Sequence, residues 1–162
     1  MGKSKKLISS NFIIAGLMVT AYAVVMGLLH VYYYDLNDDV LMKDILAGVF
    51  TGTPDGHNIQ MLYPVSLIIS AFYRVIGSLS WYGFFLLVSQ VWGMSVIIGM
   101  LPEIAAFISK RSGIAFAAIG LLAMSALMPG HFLIVQYTFT VAVLCGAAAV
   151  LLALLILSCI RI

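Results

Sequence analysis

Long apolar runs occupy most of this chain and leave few arrangements open to it. Of its 162 residues, 64% are hydrophobic and only 9% are charged, whereas a soluble domain usually carries about 25% charged residues. A chain with so little polar surface could not cover itself in water, so its solvent is expected to be a lipid bilayer. We therefore predict an all-α integral membrane protein, built as a single membrane domain over residues 1–162.

Four apolar runs have the length of membrane-spanning helices or come close to it. At ~1.5 Å per residue, a helix needs about 20 residues to cross a hydrocarbon core of ~30 Å. We expect spans at 11–34, 81–108, 113–129 and 132–160, the third being at the short limit. The first resembles a signal sequence, but its apolar run is too long for one, so we expect an uncleaved helix.

A polar loop, residues 35–80, separates the first two predicted spans and carries most of the acidic residues. Within it, apolar residues recur at helical spacing and predict an amphipathic helix over 38–50 that lies flat on the membrane. These residues are Met42, Ile45, Leu46, Val49 and Phe50. The next apolar run, 64–75, is roughly half as long as the hydrocarbon core is thick. We expect a half-helix there, lying at the interface or dipping into it.

The basic residues predict how the chain is oriented. Lysine and arginine favour the cytoplasmic side of a bilayer. With four spans and a half-helix, both termini and most basic residues are cytoplasmic, whereas a full span at 64–75 would move Lys110 and Arg111 outside. We therefore expect a protein of the cell membrane whose loop 35–80 is extracytoplasmic.

Asp38 and Asp39 follow the first span and are the leading candidates for catalysis. Adjacent carboxylates at this place could act as a general base, or hold a divalent cation through their oxygen atoms. We expect no other cofactor. The structural alternative is that they cap the amphipathic helix, whose amino-terminal dipole favours negative charge. Residue spacing leaves both interpretations open.

Three further polar side chains could contact a substrate. His57 follows a Pro-Asp-Gly turn and could bind a phosphate, although a turn also accounts for this stretch. Arg74 ends the half-helix, where it could hold the phosphate of a lipid or snorkel to headgroups. Gln136 opens the last predicted span, where it could line a cavity facing the loop or lie at the interface.

Five short motifs between residues 37 and 83 carry a family resemblance. They are Asn37-Asp38-Asp39, Lys43-Asp44-Ile45-Leu46-Ala47-Gly48, Thr51-Gly52-Thr53-Pro54-Asp55-Gly56-His57, Met61-Leu62-Tyr63-Pro64 and Trp81-Tyr82-Gly83. With the first span, this half of the chain resembles the start of polytopic bacterial glycosyltransferases of the GT-C superfamily. The resemblance implies sugar transfer from a lipid-phosphate-linked donor on the outer face of the membrane. It also implies that Asp38 and Asp39 are the catalytic carboxylates.

Four spans are fewer than members of that superfamily usually have. We therefore expect a partial module that is inactive alone and needs a partner subunit or further carboxy-terminal spans. The alternative is a non-enzymatic multispan protein, such as an assembly or accessory subunit or a transporter fragment. The expected partners are the lipid bilayer and a lipid-linked sugar donor. Nucleic acid is not expected, because no basic run alternates with aromatic residues.

Overall fold

Five helices make up the part of the chain that the structure, a computed structural model, describes. That part comprises residues 2–34, 37–108, 119–120, 122–123 and 133–160. The helices are α1 (Gly2–Leu29), α2 (Asn37–Ala47), α3 (Tyr63–Val75), α4 (Trp81–Ile108) and α5 (Tyr137–Ile160). Within these ranges the one β-type contact is an isolated bridge between Tyr33 and Ile134. The prediction of an all-helical protein is therefore confirmed for the described residues.

Three of the described helices are long and apolar enough to cross a membrane. They are α1, α4 and α5, with apolar windows at Phe12–Leu29, Trp81–Ile104 and Tyr137–Ile160. The described residues thus contain three such helices rather than the four predicted. The predicted span 113–129 falls almost wholly outside the described residues.

α4 contacts both α1 and α5, and it runs antiparallel to α1. Gly16 at the middle of α1 faces Ser95 at the middle of α4. At the other end, Tyr32 just beyond α1 shares a cavity wall with Leu87 near the start of α4. The chain therefore runs in opposite directions along the two helices.

α4 and α5 run in the same direction, held by a polar bond and a close approach. The Gln90 amide donates a hydrogen bond to the Thr140 hydroxyl at 2.9 Å. Three residues further along both helices, a Cβ on Gly93 would lie 2.7 Å from a methyl carbon of Val143. Between apolar helices in lipid there is little hydrophobic driving force, so such bonds and close contacts supply the association.

α1 ends at Leu29, five residues before the end of the predicted span 11–34. The chain beyond it is extended because Tyr33 pairs with the stretch that leads into α5. The Tyr33 N–H donates to the carbonyl of Leu133 at 3.0 Å, and the Val135 N–H donates to the carbonyl of Tyr33 at 2.8 Å. The end of α1 and the start of α5 therefore lie side by side.

α2 covers less of the chain than the predicted helix 38–50, because Gly48 terminates it. Gly48 has φ +79°, its N–H donates to Ile45, and the Val49 N–H donates back to Asp44. This is the Schellman arrangement, which ends a helix at a left-handed residue. Val49 and Phe50, which belong to the predicted apolar stripe, consequently lie beyond the helix and are exposed. Met42 and Leu46 of that stripe are fully buried in one apolar cluster with residues of α3 and α4, so this face packs on protein rather than on the membrane surface.

α3 buries its two serines and exposes much of its apolar surface. Ser66 and Ser70 are buried beside Ile69 and Tyr73. The exposed face includes Leu67, Ile68, Phe72 and Val75. This is the reverse of a water-facing helix, and it suits a helix that contacts lipid. Its bounds agree with the predicted helix over 64–75 to within one residue.

Candidate functional site

Asp39 lies buried where α2, α4 and α5 meet, with 2% of its surface exposed. One of its carboxylate oxygens, Oδ1, accepts a hydrogen bond from the Tyr82 hydroxyl at 2.7 Å. The same oxygen accepts the backbone N–H of Tyr137 at 3.0 Å. Tyr137 is the first residue of α5, whose opening N–H groups have no partner within the helix. Asp39 therefore caps the amino terminus of a helix 98 residues away, where the helix dipole also favours its charge.

Tyr82 is held from several directions, so its hydroxyl has a fixed position. Its side chain is fully buried, and its backbone N–H donates to the hydroxyl oxygen of Tyr73 at 3.1 Å. Its ring stacks on that of Tyr34 with centroids 5.9 Å apart. We call this region, defined by Tyr32, Tyr34 and Tyr82, the tyrosine end of the bundle. Here α1 has ended, and α4 and α5 begin.

Tyr34 forms the accessible side of the tyrosine end. Its hydroxyl shares a hydrogen bond with the Ser80 hydroxyl at 2.5 Å. A Cβ on Gly83 would lie 2.6 Å from the Tyr34 hydroxyl, so this glycine leaves the room that the tyrosine occupies. Burial raises the pKa of Tyr34, and its hydrogen bond to Ser80 opposes that rise. The phenol therefore stays protonated in the neutral range and remains available as a donor.

Asp38 has surroundings quite unlike those of its neighbour. It is exposed, and among the described residues the Gln60 amide donates to its Oδ2 over a long distance of 3.4 Å. Beside it lies an open cavity of about 320 Å³ with an apolar wall that includes Leu41 and Phe50. An exposed carboxylate beside such a wall can accept a proton from a bound hydroxyl, which the enclosed Asp39 is badly placed to do.

His57 and Arg74 meet at one turn. The carboxylate oxygen Oδ1 of Asp55 accepts the backbone N–H of His57 at 3.0 Å and lies 2.7 Å from its ring nitrogen Nδ1. These hydrogen bonds, the backbone one first, lower the pKa of Asp55. Arg74 donates to the carbonyl of Pro54 at 3.0 Å. Since Nδ1 is engaged, Nε2 of the exposed histidine is the nitrogen left to face a ligand.

Gln136 lies immediately before Tyr137 and so adjoins the Asp39 cluster. Its backbone carbonyl accepts the Thr140 hydroxyl at 2.8 Å. The predicted site residues thus fall into two groups, Gln136 with Asp39 and His57 with Arg74, while Asp38 stands at the surface of α2.

Sequence reasoning did not identify Tyr82, Tyr34 or Ser80 as site residues. Tyr34 belongs to a run of three tyrosines at the end of the predicted first span, where aromatic residues commonly mark the membrane interface. Tyr82 belongs to the Trp-Tyr-Gly motif, and this was the one signal in the sequence that pointed to it.

The part of the chain that the structure describes contains no preformed cluster of metal ligands. No three His, Cys, Asp or Glu side chains come together there as potential ligands.

Comparisons with protein-family models, with curated proteins and with solved structures find no match to this chain. Any assignment of function therefore depends on the site and on the resemblance of the sequence motifs.

Proposed function

We propose that this chain is the amino-terminal membrane module of a glycosyltransferase that uses a lipid-phosphate-linked sugar donor on the outer face of the membrane. One observation carries the proposal: Asp38 is exposed on a helix whose position is fixed by its buried neighbour Asp39. A carboxylate held at a defined place above a bilayer is what base catalysis at that surface requires. The resemblance of the loop to GT-C enzymes supplies the reaction.

In this reaction Asp38 accepts the proton of the acceptor hydroxyl as that oxygen bonds to the anomeric carbon of the donor sugar. The bond from that carbon to the phosphate oxygen breaks, and the lipid phosphate leaves with its electron pair. The turn that holds His57 and Arg74 supplies the cationic or hydrogen-bonding groups that the departing phosphate needs. Gln136 contributes a further polar group beside α5. The chain acts together with further spans or a partner subunit.

We also propose that the chain crosses the membrane four times, with both termini cytoplasmic. The support comes from helix directions, because α1 and α4 are antiparallel whereas α4 and α5 are parallel. Two consecutive described spans that run in the same direction require the chain to return across the bilayer between them. This proposal places the tyrosine end and α2 on the outer side.

The catalytic proposal is tested by comparing two carboxylates of α2 in the complete enzyme. Membranes carrying Asp38→Asn are incubated with a panel of polyprenyl-phosphate-linked hexoses, and release of polyprenyl phosphate is measured. Loss of a general base should lower turnover by about 10²–10⁴-fold. Asp44→Asn is the matched control, because Asp44 lines the same cavity but its charge is paired with Lys43 at 2.9 Å. Equal activity of both variants and the unsubstituted protein would refute the role of Asp38.

The topology is tested by cysteine accessibility after replacement of Cys145 and Cys159. A cysteine introduced at Asp55 should react with a membrane-impermeant maleimide added to intact cells. A cysteine at Ser112 should react only after the membrane is opened. Labelling of both positions from outside would contradict four crossings.

A second candidate function is a non-enzymatic assembly or accessory subunit. It is favoured by α5, whose apolar window has only 11% of its residues buried inside the described structure. Such a surface can accept neighbouring helices as readily as lipid. On this alternative, Asp38→Asn leaves every sugar transfer unchanged, and crosslinks from α5 to a partner chain carry the function.

A further inference from the structure

Two neighbouring cavities follow the seam between α1 and α4 from the tyrosine end into the membrane-spanning part. The first has a volume of about 260 Å³ and is lined by the three consecutive tyrosines together with Ser80 and Leu87. The second has a volume of about 560 Å³ and lies between the two helices along Val24 and Val88. Both volumes fall within or near the range of roughly 300–1,000 Å³ that small-molecule pockets occupy.

Tyr32 joins the two cavities, because it lines both of them, as does Leu87. The tyrosine folds back over α1, where its hydroxyl donates to the carbonyl of Ala23. Its ring fills a notch at Gly27, since a Cβ there would lie 2.5 Å from a ring carbon. The seam is therefore shaped as one cleft that passes beside Tyr32.

The cleft opens onto the surface that α1 and α4 present to lipid. Val24 and Leu28 on one wall and Val88 on the other are among the exposed apolar side chains of these helices. The inner cavity is almost wholly apolar, with Thr20 as its polar residue on α1. A hydrocarbon chain can enter from the surrounding bilayer without crossing a polar barrier.

The mouth of the cleft is neutral and rich in hydroxyl groups. Tyr34 and Ser80 hold their hydrogen-bonded hydroxyls there, and none of the described residues that line either cavity is basic. Hydroxyl groups without a cation suit the ester carbonyls of a diacyl lipid, which lie just below its headgroup. They suit a polyprenyl phosphate less well, because it has no ester carbonyl and carries charge at that depth.

We propose that this cleft binds one acyl chain of an ester-linked diacyl lipid from the bilayer, with the ester carbonyls at the Tyr34–Ser80 pair. The site is separate from Asp38 and does not depend on sugar transfer. Its bound lipid fills the seam between α1 and α4 directly behind Tyr34, whose ring stacks on Tyr82. The lipid therefore supports the tyrosine end of the bundle from the membrane side.

The test uses a tryptophan placed in the wall of the cleft. Val88→Trp is made with Trp81→Phe and Trp92→Phe, which removes both native tryptophans, and the protein is reconstituted into vesicles of ether-linked phosphatidylcholine. Brominated phosphatidylglycerol, which quenches tryptophan fluorescence on contact, is then titrated into the vesicles. One series uses the ester-linked form of this lipid and the other uses the ether-linked form. Leu152→Trp in the same background is the matched control, because Leu152 is also exposed and lies on α5. Circular dichroism checks that each variant is folded.

The ester lipid should half-quench the Val88→Trp reporter at a mole fraction about fivefold lower than the ether lipid. This ratio corresponds to the net free energy of roughly one hydrogen bond. The control reporter should not distinguish the two lipids. Tyr34→Phe with Ser80→Ala should abolish the difference while leaving the aromatic ring in place. Identical curves for the two reporters would overturn the site. Stronger displacement by polyprenyl phosphate than by unbrominated ester lipid would overturn the choice of ligand.

Discussion

Removing the Asp39 carboxylate should destabilise the bundle far more than removing that of Asp38, although the two residues are adjacent. Asp39→Ala leaves the Tyr137 N–H without its carboxylate acceptor and leaves the Tyr82 hydroxyl with the weak sulfur acceptor of Met42 at 3.8 Å, in a buried place. Asp39→Asn keeps a carbonyl oxygen that can accept both bonds but loses the charge that strengthens them. Asp38→Ala removes an exposed side chain with one long hydrogen bond.

The contacts set the expected magnitudes. A hydrogen bond to a charged group contributes about 1.5–3 kcal/mol, and an orphaned buried donor costs about 1–3 kcal/mol. The two bonds share one oxygen and are not additive, so we expect a loss of about 3 kcal/mol or more for Asp39→Ala. Asp39→Asn should cost about 1–2 kcal/mol, since it loses only the charge assistance. Asp38→Ala should stay within about 0.5 kcal/mol, as is usual for surface substitutions.

Unfolding in mixed micelles by titration with sodium dodecyl sulfate, followed by circular dichroism, measures these free energies. Hydrogen exchange supplies a local readout, because the amide of Tyr137 should lose protection in Asp39→Ala and keep it in Asp38→Ala. Equal free energies of unfolding for the two alanine variants, with Tyr137 equally protected in both, would refute the anchoring role of Asp39.

Three further outcomes are expected. Gly48→Ala should lower the free energy of unfolding by more than about 2 kcal/mol, because a Cβ there would lie 2.2 Å from loop backbone at φ +79°. Gly52→Ala, at φ +75° with open space around it, should cost only about 1–2 kcal/mol. In the same assay Gly93→Leu should cost about 2 kcal/mol or more, since it forces α4 away from α5. The Asp55 carboxylate should titrate in ¹³C NMR below the pKa of an unperturbed aspartate, so its contribution to the turn is fully present above the unperturbed pKa and is lost as the pH falls through the lowered pKa. His57→Ala should raise this midpoint only in part, because the backbone N–H remains.

The helices whose bounds depend on local sequence pattern were predictable. The end of α1 and the start of α5, which meet at the tyrosine end, were not. α4 has the predicted bounds of 81–108, and α3 differs by one residue, because apolar length and flanking aromatic residues decide both. The predicted span 132–160 instead starts its helix at Tyr137. The reason is that the preceding residues pair with Tyr33, which is distant in sequence. Such pairing leaves no periodic signal in either segment.

The site divides in the same way. Capping and catalysis were competing interpretations of Asp38 and Asp39, and both concerned the helix on which they lie. Both aspartates lie in the first turn of α2, and Asp39 in addition caps α5, a partner that no local spacing could reveal. The turn at Asp55 was predictable, since its residues are neighbours, but its connection to Arg74 was not.

Helical geometry explains why adjacent aspartates cannot share one role here. Successive residues of an α-helix point about 100° apart, so a helix packed on one side sends one of two neighbours inward and the other toward the surface. On α2 the inward position is occupied by Asp39, in register with the buried Met42 and Leu46. The buried carboxylate is stabilised by the hydrogen bonds it accepts from the Tyr82 hydroxyl and the Tyr137 N–H. These bonds fix the rotation of α2 about its axis. That rotation determines where Asp38 points, so under the proposed function a substitution of Asp39 would change activity through Asp38. A loss of activity in Asp39 variants is therefore evidence about position, and only Asp38 variants that keep the fold can test the chemistry.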